Sequence, residues 1–162
     1  MFKKILVPVD GSKASLKAYD YAKEIAAKFE AEITLIHVKH TFDQPFYYKH
    51  GYDLEDVDVD KMIKKYEKKS DYPENFLSEI GDKIMENAKK YFEDTDLKIS
   101  TEILQGRPAH KIIEFAENNQ FDVIIMCTHG MSIPRRFALG SITNKVVHNS
   151  KTPVFITREE EE

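Results

Sequence analysis

The hydrophobic residues of this chain follow two alternating patterns. Short continuous apolar runs at residues 5–9, 33–38 and 123–126 are typical of strands covered on both faces of a parallel sheet. Between these runs, apolar residues recur every three or four positions, which predicts amphipathic helices. The predicted order, β-α-β-α-β-α-β-α-β, indicates a parallel sheet whose crossover connections are right-handed.

The pattern predicts five strands and four helices. Residues 98–104 alternate apolar and polar positions, which favours an edge strand, and residues 153–157 form the last strand. Asp10-Gly11-Ser12 offers a turn and an N-cap before the first helix, and Pro108 suits the start of the third. The helices present four apolar stripes: Ala18, Ala22, Ile25, Ala26 and Phe29; Phe76, Ile80, Ile84, Ala88 and Tyr91; Ala109, Ile112, Ile113 and Ala116; and the segment 142–149. The predicted fold class is α/β, a single-domain, open, twisted parallel sheet of five strands with helices on both faces.

Length, charge and cysteine content narrow the class of protein. A chain of 162 residues fits one domain with a real core, and a formal net charge of −4 argues against a protein built to grip nucleic acid. The single cysteine, Cys127, excludes an internal disulfide and suits a reducing compartment. No run approaches the roughly 20 apolar residues of a membrane span, and no signal core precedes the first strand. These features predict a cytoplasmic protein.

One segment, about residues 40–75, interrupts the alternation. It is rich in Tyr, Lys and Asp and long for a connection between a strand and a helix. One interpretation is a lid or partner surface; the other is a solvated insertion that covers a sheet edge. The charge-rich composition favours the second interpretation.

The most informative motif follows the fourth predicted strand. Thr128-His129-Gly130 is separated from Gly140-Ser141 by nine residues, and a predicted helix begins directly afterwards. The first N–H groups of a helix lack intrahelical partners and favour an anion, while glycine lets the backbone approach it closely. Arg136, inside this loop, adds a guanidinium that suits a phosphate. The motif predicts a phosphate site and therefore a bound nucleotide.

Asp10 follows the first strand directly and has two interpretations. Ligands of doubly wound sheets bind beyond the carboxyl ends of strands where the strand order reverses. If the first and fourth strands are neighbours, Asp10 faces the same crevice as the glycine loop, where it accepts from ribose hydroxyls or holds a water on a phosphate-bound Mg²⁺. The alternative is an Asx turn before the first helix, and both roles are compatible.

These motifs together resemble the universal stress protein family. The resemblance is carried by Val7-Pro8-Val9-Asp10-Gly11-Ser12, by His37-Val38, by Met126-Cys127-Thr128-His129-Gly130 with Gly140-Ser141, and by Thr152-Pro153-Val154-Phe155-Ile156. It covers residues 1–158 except the insertion, and leaves 159–162 as an acidic tail. It implies a Rossmann-like sheet of the adenine nucleotide alpha hydrolase type, a homodimer and, in one branch, bound ATP with Mg²⁺ or Mn²⁺.

The resemblance also implies where ATP would lie. Adenine would be near Val9 and Val38, ribose near Asp10, and the phosphates against Gly130, Gly140, Ser141 and Ile142. Further binding residues expected from the same motifs are Pro8, Met126, Cys127, His129 and Arg136. No metal ligand is expected apart from Asp10 acting through a water.

Cys127 departs from the motif of the ATP-binding branch, which has glycine at this position. If position 127 needs a positive φ, a side chain there costs on the order of 1 kcal/mol and tilts the loop. If the position keeps strand geometry, the side chain is harmless unless it crowds the ligand. We expect strand geometry, because the glycine that shapes the loop is more plausibly Gly130.

The sequence offers no convincing catalytic set. It has neither a Walker A motif nor a Gly-x-Gly-x-x-Gly fingerprint, and whether ATP is hydrolysed stays open. We therefore expect an ATP-binding stress or regulatory protein; the rival is a nucleotide-free dimeric interaction protein of the same fold, and an unknown protein partner fits either. The apolar last strand, 153–157, would need a partner at the sheet edge, which predicts a symmetric dimer.

Overall fold

The computed structural model describes residues 1–40, 76–128 and 139–158. Within these ranges the chain forms five strands: β1 (Lys4–Pro8), β2 (Glu32–His40), β3 (Ile99–Gly106), β4 (Val123–Cys127) and β5 (Val154–Thr157). It also forms four helices: α1 (Ser15–Phe29), α2 (Phe76–Lys90), α3 (Pro108–Asn118) and α4 (Ser141–Asn149). The predicted insertion at 41–75 and the acidic tail at 159–162 lie outside the described residues.

The strands form one parallel sheet in the order β3-β2-β1-β4-β5. This confirms the predicted five-stranded parallel sheet and the conditional neighbourhood of the first and fourth strands. The edge position of β3 is also confirmed, since its residues alternate between half-buried and exposed. Because β1 leads to β2 on one side while β4 lies on the other, the strand order reverses between β1 and β4.

Two separate cores cover the two faces of the sheet. On one face α1 and α2 pack against alternate strand residues such as Ile5, Val7 and Ile125. On the other face α3 and α4 pack against the intervening residues such as Leu6 and Ile124. Burial on both faces explains the continuous apolar runs of β1 and β4, and each such side chain contributes about 1.5–3 kcal/mol.

The amino ends of β1 and β4 are fixed by Asp122. Its Oδ2 accepts from the backbone N–H groups of Lys3 and Lys4, at 2.7 and 2.9 Å. These two hydrogen bonds lower the pKa of Asp122 below its usual value, because they stabilise the charged carboxylate. Asp122 thereby supports the register that pairs Ile5 with Val123, and this register sets which residues meet at the carboxyl ends of the same strands.

Several predicted boundaries are corrected by the structure. β2 continues to His40 rather than ending at Val38, and β1 starts at Lys4 and ends at Pro8. The largest correction concerns Ser12, which does not cap α1: the helix begins at Ser15 after Ala14, which makes no side-chain cap hydrogen bond. The Ser12 hydroxyl lies against the Asp10 carboxylate instead, where it donates to a charged acceptor rather than accepting from a helix N–H.

No helix in the described ranges is long and apolar enough to cross a membrane.

Candidate functional site

The carboxyl ends of β1 and β4 form the edge of a crevice at the reversal of strand order. β1 ends at Pro8 and β4 at Cys127, and both chains then turn toward helices on opposite faces of the sheet. Asp10 follows β1, and Gly140 and Ser141 begin the helix that follows β4. The predicted candidates on the two sides of the glycine loop are therefore attached to neighbouring strands.

Asp10 is held by a compact turn at the start of α1. Its Oδ1 accepts from the Ser12 N–H at 2.9 Å and from the hydroxyls of Ser12 and Ser15, both at 2.6 Å. The Asx turn proposed as one interpretation of Asp10 is thus present. Gly11, with φ of 78°, supplies the left-handed conformation that this turn needs.

Tyr19 forms the floor beneath this turn. It is only 3% exposed, and its hydroxyl lies within reach of Ser15. Burial raises the pKa of Tyr19 far above the usual value of a phenol, and the nearby negative charge of Asp10 adds to that effect. Tyr19 therefore remains a neutral hydroxyl beside the turn.

The beginning of α4 is anchored to the end of β4 by two hydrogen bonds. The Gly140 N–H donates to the Thr128 carbonyl at 2.7 Å, and the Thr143 hydroxyl donates to the Cys127 carbonyl at 2.9 Å. Thr143 is only 3% exposed, so its bond is shielded from water. The first N–H groups of α4, beginning with Ser141 and Ile142, have no intrahelical acceptors and give this end of the helix a partial positive charge.

Cys127 lies in ordinary strand geometry. It is the last residue of β4, pairs with Thr157 and is buried. Its backbone is not among the positive-φ positions of the described residues. The position therefore tolerates a side chain without the backbone strain that a left-handed conformation would impose.

The apolar candidates divide between the two faces of the sheet. Val38 and Met126 are buried in the core beneath α3 and α4, whereas Val9 is buried in the core beneath α1 and α2. Pro8, half-buried at the end of β1, shares the side of Val38 by strand alternation. The expectation that one base would lie beside both Val9 and Val38 thus applies to side chains on opposite faces.

The remaining predicted residues and the overlooked ones complete the site. Ile142 is half-buried against the α4 core and Ser141 is exposed at the start of the helix, while His129, Gly130 and Arg136 lie outside the described residues. Sequence reasoning missed Ser15, Tyr19 and Thr143. The one available signal was the spacing of Ser12 and Ser15, which brings their side chains together across a first helical turn.

The two sides of the crevice differ in hydrogen-bonding character. The side after β1 offers a carboxylate, which accepts hydrogen bonds and carries negative charge. The side after β4 offers backbone N–H groups and the Ser141 hydroxyl, which donate hydrogen bonds. An open parallel α/β sheet with these two sides at its reversal point belongs to the class of proteins that bind polar ligands beyond the carboxyl ends of their strands.

Within that class the family follows from comparison with known proteins. A model of the "Universal stress protein family" matches residues 1–158. The chain therefore belongs to the universal stress protein family.

The chain resembles its relatives along nearly its whole length. It is 34% identical to "Universal stress protein MJ0531" of Methanocaldococcus jannaschii over 98% of this chain and 83% of that protein. It is 32% identical to "Universal stress protein MJ0577" of the same organism, over 98% of this chain and 96% of the relative. A solved structure of MJ0577 superimposes with a TM-score of 0.74 and 29% identity, covering 100% of this chain and 99% of that one.

Two further solved members share the fold and carry a nucleotide. One is a universal stress protein in complex with cAMP, with a TM-score of 0.62 and 22% identity, covering 97% of both chains. The other, from Archaeoglobus fulgidus in complex with dAMP, has a TM-score of 0.63 and 14% identity, covering 96% of this chain and 97% of that one. At these identities the likeness concerns the fold.

Proposed function

We propose that this universal stress protein binds ATP in the crevice between the ends of β1 and β4 and acts as a cytoplasmic regulatory protein. One observation carries the proposal: neighbouring strands place the Asp10 carboxylate and the anchored N-terminus of α4 at the same edge of the sheet. A nucleotide has the complementary character, since its sugar donates hydrogen bonds and its phosphates accept them. The adenine nucleotides in two family members of the same fold support the choice of base.

The start of α4 is the proposed phosphate side. The N–H groups of Ser141 and Ile142, the Ser141 hydroxyl and the close approach permitted by Gly140 suit phosphate oxygens. Gly130, His129 and Arg136 complete this side in the sequence-based prediction. Mg²⁺ or Mn²⁺ would accompany the phosphates and neutralise their charge.

The base would lie on the side of the sheet that carries α3 and α4. Pro8, Val38 and Met126 supply apolar surface there, and Cys127 and Val9 border it from β4 and β1. Asp10 has two candidate partners, a sugar hydroxyl or a water on the metal ion. The proposal is one of binding and assigns no chemical step to the bound ATP.

The deciding experiment combines mass spectrometry and calorimetry. Freshly purified protein is denatured and the released small molecules are identified, and nucleotide-stripped protein is titrated with Mg-ATP. We expect released adenine nucleotide and a saturable isotherm. Protein that releases none and gives no heat with Mg-ATP would establish the rival, a nucleotide-free interaction protein.

The proposal includes a homodimer through the last strand. β5 lies at the edge of the sheet, and its Phe155 is 39% exposed against Tyr21 of α1, at 5.3 Å between ring centroids. An apolar edge strand is stabilised when a second copy covers it. Light scattering at micromolar concentration should give a dimer, and Phe155→Lys should shift it to monomer; a monomeric native protein would refute this part.

A further inference from the structure

The Asp10 carboxylate is bound by the protein through one of its two oxygens. Oδ1 accepts three hydrogen bonds, from the Ser12 N–H, the Ser12 hydroxyl and the Ser15 hydroxyl. Every hydrogen bond that the described residues make to this carboxylate ends on Oδ1. An ionised carboxylate has about four acceptor positions over its two oxygens, so the capacity that remains is concentrated on Oδ2.

Proton counting determines how the two hydroxyls are used. Ser12 Oγ and Ser15 Oγ are 3.0 Å apart, and Ser15 Oγ also lies 2.9 Å from the Ser12 carbonyl. Each hydroxyl has only one proton, and both oxygens are 2.6 Å from Oδ1. Charge-assisted bonds are the shortest and strongest, so both protons point to Asp10, and the Ser12 carbonyl accepts from the Ser15 N–H at 3.2 Å.

The two serines are themselves fixed by burial. Ser15 is 2% and Ser12 6% exposed, whereas Asp10 remains half-buried at the crevice. Tyr19, beneath Ser15, leaves that hydroxyl little freedom to turn away. The carboxylate is therefore oriented before any ligand arrives, which reduces the entropy lost on binding.

We propose that Ser12 and Ser15 are positioning residues that hold Asp10 so that its Oδ2 accepts a hydrogen bond from a sugar hydroxyl of the nucleotide. This inference rests on the proposed function and deepens it, because it makes Asp10 the group that distinguishes ribose from a deoxy sugar. The hydroxyl is chosen over a metal-bound water because an oriented single acceptor suits one donor at a fixed position on a rigid ring.

The test is a cycle between protein variants and ligand hydroxyls. Wild type, Ser15→Ala and Asp10→Ala are each titrated with Mg-ATP, Mg-2′-deoxy-ATP and Mg-3′-deoxy-ATP. Wild type should bind ATP at least about tenfold more tightly than one deoxy analogue, as expected for a hydrogen bond to a charged group. Asp10→Ala should remove this preference, and Ser15→Ala should reduce it to about threefold or less while binding that deoxy analogue within about twofold of wild type.

The ratio between ligands separates positioning from a merely structural role. A structural defect in Ser15→Ala would weaken all three ligands equally and preserve the preference, which would refute the proposal. Ser100→Ala is the matched control, since its hydroxyl bonds Thr34 at 2.8 Å near the opposite end of the sheet; it should leave the preference unchanged. If Ser15→Ala does not fold, Ser12→Ala replaces it, because that variant keeps the backbone bond to Oδ1.

The remaining outcomes are also decisive. A wild type that binds ATP and both deoxy analogues equally would overturn the role of Asp10 while leaving the proposed function intact. A wild type that binds none of the three would overturn the proposed function and this inference together.

Discussion

The chain leaves β1 and β4, two adjacent strands, in two different ways. After β1, three hydrogen bonds converge on the side chain of Asp10, and the following helix has no side-chain cap. After β4, two hydrogen bonds tie the next helix to the strand end, one from the Gly140 backbone and one from the Thr143 hydroxyl. In one connection the protein orients an acceptor; in the other it orients a set of donors.

This difference gives the crevice a polarity that neither strand end has alone. A ligand with donors at one end and acceptors at the other fits in one direction only, with its sugar toward Asp10 and its phosphates toward Ser141. The pairing of β1 with β4 brings the two ends together. Changes confined to one connection should therefore affect one part of the ligand.

The largest effect is expected from Gly140→Val. A valine at the N-cap would stand beside the first N–H groups of α4 and keep phosphate away, so the affinity for Mg-ATP should fall at least about 100-fold, or 2.7 kcal/mol. Gly140 has φ −54° and ψ 153°, which any residue adopts, so the backbone should tolerate the change. Calorimetric titration measures the affinity and thermal melts report the fold.

The control for Gly140→Val lies at the other end of the same helix. Asn149→Val removes a 2.7 Å bond to the Lys145 carbonyl at the exposed C-terminus of α4 and should leave ATP affinity unchanged. If Gly140→Val melts early, Gly140→Ala gives a smaller test of the same contact. Unchanged affinity in a folded Gly140→Val protein would place the phosphates elsewhere.

Thr143→Val tests the anchor of the donor side. Loss of the hydroxyl leaves the Cys127 carbonyl without this donor, and the free energy of unfolding should fall by about 1–3 kcal/mol. The affinity for Mg-ATP should fall as well, because the start of α4 is no longer held in place. Urea denaturation and calorimetry measure the two effects.

Thr157→Val is the matched control for this substitution. Thr157 is 2% exposed against 3% for Thr143, but its hydroxyl has no hydrogen-bond partner within the described ranges. Removing an unpaired buried hydroxyl should change stability by less than about 0.5 kcal/mol or raise it. Equal losses in the two valine variants would show that the Thr143 bond does not anchor the helix.

Cys127→Gly should have the smallest effect on binding. Since Cys127 lies in strand geometry, glycine adds no needed conformation, and the variant should bind Mg-ATP within about twofold of wild type while losing about 1–2 kcal/mol of stability. Cys127→Ala separates lost packing from backbone entropy. A tenfold gain in affinity, about 1.4 kcal/mol, would instead show that the thiol crowds the ligand.

The fold was predictable because its signals are local and repeated. The continuous apolar run of β1, the alternation in β3 and the helical stripes each report how many faces of an element are buried. Boundaries were less predictable: Ser12 has the residue type of an N-cap, yet a carboxylate two positions earlier competes for its hydroxyl, and α1 begins three residues later.

The site was predictable only in part, for a related reason. Asp10, Gly140 and Ser141 are placed by motifs next to strand ends, and the sheet order brings them to one edge as expected. Ser15, Tyr19 and Thr143 act through contacts with a partner side chain or a strand carbonyl. Such contacts depend on how a helix is seated on the sheet, which hydrophobic periodicity does not specify.

The most direct test of the crevice's polarity is a crystal structure of the protein with Mg-ATP. The account predicts a sugar hydroxyl within about 3.2 Å of Asp10 Oδ2 and a phosphate oxygen within the same distance of the Ser141 or Ile142 N–H group. A nucleotide bound in the reverse direction, or bound without contacting Asp10 and the start of α4, would contradict it.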